Sequence, residues 1–132
     1  MASMVDAETA KFRELQSELQ KLQSDLQIVM GQRTENEMVL QELELLKESN
    51  VVYKLTGPVL IKQKLEDARD TVRKRLEFIR SELTKIQAKM EAKEKQGNEL
   101  ALKIQQMQAQ LQQTTAQAVR AIAEQHKSGY SS

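Results

Sequence analysis

The chain of 132 residues has no cysteine, no tryptophan, one proline and four glycines. Aromatic residues make up 3%. Each scarcity excludes something. Without cysteine there is no disulfide and no thiolate chemistry, which is compatible with a reducing compartment. So few aromatics leave little bulk for a globular core. Few turn formers mean long uninterrupted elements. No apolar run approaches the ~20 residues of a membrane-spanning helix. The opening MASMVDAETAK has neither the basic nor the apolar region of a secretion signal. Twenty basic and 19 acidic residues give a net charge of +1, so neither nucleic acid nor an anionic membrane is attracted by charge. These readings predict one structural unit over 1–132, cytoplasmic, with no nucleic-acid or membrane partner.

Chemistry-bearing groupings are equally sparse. The single histidine, His126, falls near the C-terminus. No His, Cys or carboxylate spacing supports a transition-metal site. No Gly-rich phosphate loop, nucleophile elbow or kinase signature occurs. Acid–base catalysis needs a dry pocket to tune proton affinities, and two helices alone cannot enclose one. The expectation is no enzyme and no cofactor.

What is present is a composition of Ala, Glu, Lys, Leu, Arg and Gln, typical of long helices. In the first arm Phe12, Leu15, Leu19, Leu22, Leu26, Val29, Leu40 and Leu43 step by alternating three and four. Such a repeat is a coiled-coil seam. Arg33, Asn36 and Lys47 interrupt it, and Arg33 and Asn36 are expected to specify register. The first helix is predicted over 5–47. In the second arm the repeat runs from Leu65 to Ala121, broken by Arg69, Lys93, Gly97 and Thr114. That predicts a helix over 65–123, a flexible point near Lys93 and Gly97, and a disordered tail over 127–132.

Between the arms lies SNVVYKLTGPVLIKQ, residues 49–63, with the only proline, Pro58, beside Gly57. Gly57 and Pro58 suit the centre of a tight hairpin turn, glycine supplying positive φ and proline a φ near −65°. Leu55 then faces Leu60, and Tyr53 faces Lys62. The fold class is mainly α: a long antiparallel two-helix coiled coil joined by a central β-hairpin over 51–63. Val51, Tyr53, Leu55 and Leu60 lie on one hairpin face, and Val52, Val59 and Ile61 on the other. A lone hairpin is marginal in water and has two unpaired edges. A helix reversal needs only a few residues. Assembly with strands of other subunits satisfies edges and faces together; the plainer reading is a decorated turn.

A second unusual stretch is Ile104–Val119, sixteen residues without charge, seven of them Gln. It reads either as a solvated helix end or as an adaptable surface for varied unfolded chains, for which flexible Met107 is suited. Met1, Met4 and Val5, with Met107, Leu111, Val119 and Ile122, are the candidate contact residues at the arm ends.

The run LLKESNVVYKLTGPVLIKQ, residues 45–63, resembles the signature of the β class of the prefoldin family. One hairpin rather than two fits that class. The resemblance implies a heterohexamer of two α-class and four β-class chains, hence three further β-class partners. It implies that Val51, Val52, Tyr53, Leu55, Val59, Leu60 and Ile61 build a β-barrel platform. It also implies an ATP-independent chaperone that holds nonnative actin- and tubulin-like clients and passes them to the cytosolic chaperonin. The rival from another class is a structural coiled-coil scaffold or tether without chaperone activity. A weaker third is a monomeric, helical tubulin-folding cofactor.

Overall fold

The computed structural model describes residues 2–47 and 49–130. Met1, a candidate contact residue, lies outside them, as do Ser131 and Ser132 of the expected tail. Four elements follow in order: α1 (Ala2–Leu45), β1 (Val52–Thr56), β2 (Val59–Gln63) and α2 (Leu65–Tyr130). Both helices outrun their expected free ends. α1 starts at Ala2 rather than 5, and α2 runs to Tyr130 rather than 123. Ala118, Ala121, Ala123 and Glu124 are strong helix formers, and no proline follows Pro58. Residues 127–130, expected to be disordered, therefore continue the helix. α1 ends at Leu45, earlier than expected, for a tertiary reason given below.

Internal contacts divide the chain into two compact units, residues 21–90 and residues 1–20 with 91–132. In the first, α2 turns a continuous stripe inward: Leu65, Ala68, Val72, Leu76, Ile79, Leu83 and Ile86 are all 9% exposed or less. Leu22, Leu26, Val29, Leu40 and Leu43 of α1 are half-buried. Each such leucine or isoleucine contributes about 1.5–3 kcal/mol when fully removed from water. Ala68 lies beside the heptad seam rather than in it. It is covered because it lines the hollow under the hairpin together with Leu43, Val52 and Val72.

The polar seam residues do not behave as the sequence suggests. Asn36 Nδ2 donates to Gln32 O at 2.7 Å, and Arg33 Nε lies 3.8 Å from Glu37. Asn36 thus bonds within α1, while Arg33 Nε is buried without a hydrogen bond and has its ion pair on the same helix, so neither contact crosses to α2.

In the second unit, Phe12, Leu15 and Leu19 form a half-buried face on α1, and Val5 is buried. Gly97 of α2 is buried, and a β-carbon placed on it would lie 3.9 Å from the Phe12 ring. Phe12, the largest side chain of the α1 seam, lies across from Gly97 at a distance that would leave an added methyl in ordinary contact. The feature that suggested flexibility is thus a packing fit, one turn earlier than the Leu100–Ile104 contact that hairpin symmetry suggests for Phe12. Lys93 also has a role, donating to Glu18 Oε2 of α1. Lys103 lies 3.5 Å from Glu8, whose carboxylate is largely buried. In both cross-helix pairs the residue numbers sum to 111, so two ion pairs share one register.

Candidate functional site

β1 and β2 pair antiparallel, with Val52 opposite Gln63, Tyr53 opposite Lys62, Lys54 opposite Ile61, Leu55 opposite Leu60 and Thr56 opposite Val59. Gly57 has φ of +60°, a value that L side chains rarely adopt. Pro58 follows with its ring-fixed negative φ, so the two residues suit a tight reversal. The register is the one the Gly-Pro pair predicts.

Side chains directly opposite each other share a face. Tyr53, Leu55 and Leu60 therefore lie on one face with Lys62. Val52, Val59 and Ile61 lie on the other with Lys54, Thr56 and Gln63. Val52 is half-buried, whereas Val51, Tyr53, Leu55, Val59, Leu60 and Ile61 are between 50% and 68% exposed. Neither face is closed by the chain itself. The two-stranded sheet also ends at β1 on one side and β2 on the other. Unpaired edges and uncovered apolar faces are the features that strand addition uses.

The base of the hairpin is fixed by one side chain. Arg69, in the second turn of α2, donates through Nε and Nη2 to Leu43 O, at 3.1 and 2.9 Å. Nη2 also donates to Leu46 O at 2.9 Å, and Nη1 reaches Glu66. The last carbonyls of a helix have no partner within it, and a cation there meets the negative end of the helix dipole. Arg69 thus closes α1 at Leu45. Asn50 secures the exit: its side chain accepts from Lys47 N and its own N–H donates to Lys47 O, both at 2.8 Å. Beside this clamp Arg73 bridges Glu44 at 2.8 Å and Asp70 at 3.2 Å. The hydrogen bond to Glu44 is the main reason its proton affinity stands above the ordinary arginine value. Sequence reading marked Arg69 as a break in the seam and assigned it no role. The available signal was an arginine at a core heptad position just after a hairpin.

At the arm ends the candidates separate. Met4, Val119 and Ile122 are at least 60% exposed, while Met107 and Leu111 are half-buried. Val5 is 8% exposed, so it belongs to the core rather than to an open contact surface. The heptad closes over it because α1 begins earlier than expected, leaving Val5 inside the first full turn. Residues 112–127 of α2 are exposed throughout. Among the described residues no group of His, Cys, Asp or Glu could hold a metal ion, and no helix is long and apolar enough to cross a membrane.

Comparison with known proteins places this architecture. The family described as prefoldin subunit matches residues 6–111. Prefoldin subunit 6 of Mus musculus is 41% identical over 117 residues, covering 89% of this chain and 91% of its own. Prefoldin subunit 6 of Arabidopsis thaliana is 47% identical over 87 residues, covering 64% of this chain and 67% of its own. Among solved structures, the prefoldin beta subunit from Thermococcus strain KS-1 is similar with a TM-score of 0.75 and 25% identity, covering 78% of this chain and 90% of that one. Two long helices joined by one open-faced hairpin, together with these similarities, show that this chain belongs to the prefoldin family, whose members are chaperone subunits.

Proposed function

We propose that the chain is one of four β-class subunits in a six-chain prefoldin with two α-class chains. The complex holds nonnative actin- and tubulin-like polypeptides without ATP in the cytoplasm and delivers them to the cytosolic chaperonin. The subunit itself carries no catalytic step. The observation that carries the reading is the hairpin: five apolar side chains half or more exposed on a sheet with two free edges, with Val51 exposed just before it. Burying that surface against strands of neighbouring subunits removes both liabilities at once.

Client contact falls to the exposed and half-exposed apolar residues of the arm ends, Met4, Met107, Leu111, Val119 and Ile122. These are few and spaced apart, Met107 and Leu111 among glutamines, so each contact is weak. Several arms acting on one chain raise avidity through effective concentration, while each single contact still dissociates readily. That combination supports holding and release without nucleotide energy.

Leu55 and Ile61 lie on opposite hairpin faces and are both exposed. Replacing both by aspartate therefore leaves the isolated chain folded and blocks assembly with partner subunits. Complex formation by Leu55→Asp/Ile61→Asp, seen by native mass measurement, would refute the platform role.

A further inference from the structure

Phe78 is 66% exposed at a heptad position outside the seam, where charged or polar residues are the rule. Its neighbours Leu76 and Ile79 turn inward instead. Phe78 borders a hollow of about 610 Å3, along with Gln32, Asn36, Lys74, Arg75 and Ile79. Thr71 and Arg75 line this hollow and also the next one, which lies under the hairpin between Val39, Leu43, Val52 and Gln63. The exposed surface of the hairpin therefore continues along the helix pair as far as Phe78.

The charge of this extension is one-sided. Arg69 engages Glu66, and Arg73 engages Glu44 and Asp70. Lys74 and Arg75 form no ion pair among the described residues. Glu77 does not line the hollow. Two unpaired cations thus stand four and three residues before an exposed aromatic ring, spacings that place each beside it on the helix surface.

We infer that the Phe78 hollow is a second contact surface for a neighbouring subunit of the same assembly, one that seats a segment bearing an apolar side chain next to carboxylates. The inference rests on the assembly reading above. Continuity with the hairpin selects a subunit as the occupant, and the cations select an acidic segment. Strands offer nearly uniform backbone edges, so discrimination among neighbours falls to side chains away from the strands. An anchor ring with flanking charge is the usual form of such a determinant.

The test uses the full chain with its partner subunits. Phe78→Gln and Arg75→Glu change exposed side chains, and circular dichroism of the isolated chains should match the parent. Phe78→Gln weakens association by about tenfold or more, the effect of deleting a central anchor. Arg75→Glu weakens it as well and lessens its dependence on salt. Parent-like affinity for Phe78→Gln overturns the inference. Parent-like affinity for Arg75→Glu removes the acidic partner. Normal assembly of Phe78→Gln with loss of client holding places a client there instead, and equally overturns it. Leu55→Asp/Ile61→Asp serves as the control. If that variant assembles, the hairpin reading fails; if it dissociates while Phe78→Gln assembles normally, only the second surface fails.

Discussion

Arg69 stands where the heptad calls for an apolar side chain, yet it is largely buried and donates to the carbonyls of Leu43, in α1, and Leu46, just past its end. Hydrogen bonds from a charged donor are each worth about 1.5–3 kcal/mol. Without Arg69, Leu46 O loses its donor and Leu43 O keeps only the 3.3 Å bond from Leu46 N, which adds a desolvation cost. Arg69→Met is therefore expected to lower unfolding free energy by about 2 kcal/mol or more in urea titrations. Arg69→Lys restores little, because an ammonium cannot fork across both carbonyls. Gly97 works in the other direction. It costs about 1 kcal/mol in a helix interior relative to alanine, and the added methyl would meet Phe12 at ordinary contact distance, 3.9 Å. Gly97→Ala should raise stability by about that 1 kcal/mol in the same titration. A destabilised variant would mean that Phe12 packs closer than that contact.

Among the elements, the hairpin was the most legible. Gly57-Pro58 flanked by β-branched runs specifies turn and register together, because glycine takes the positive φ and proline fixes the next one. The seam was legible too, since a 3.5-residue repeat has one structural solution. The register between arms was not. Arg33 and Asn36 look like register pins, but Asn36 bonds within α1 and Arg33 has its ion pair with Glu37 of the same helix. The ion pairs that share the register are Glu18 with Lys93 and Glu8 with Lys103, and of these four only Lys93 stood out, as a break in the seam. Phe78 was missed for a similar reason: a reading of seam positions passes over an aromatic outside the seam. The end of α2 was underestimated because a fading heptad was read as a fading helix. Alanine and glutamine sustain a helix after the seam stops. The family match ends at residue 111, and α2 continues exposed beyond it. Removing residues 107–132 should leave assembly intact and reduce suppression of aggregation of a denatured client. Undiminished holding by the truncated chain would move client contact elsewhere.

For the whole molecule, two facts work together. The core is a narrow seam; six exposed large apolar residues gather at the hairpin, residues 51–61, and Val119 and Ile122 stand on the exposed end of α2. A scaffold coiled coil needs neither feature; a platform-forming chaperone subunit uses both. If client contact falls to the arm ends as proposed, such weak, distributed contacts act only when several arms are held together, so activity follows assembly. The 15.1 kDa chain should be inactive as a holder when alone and active in the complex. The most direct measurement is the native mass of the chain co-purified with α-class and β-class prefoldin subunits. The account predicts a six-chain complex that contains it and falls apart with Leu55→Asp/Ile61→Asp. A chain that remains a monomer beside those partners, or a complex untouched by the two aspartates, would contradict it.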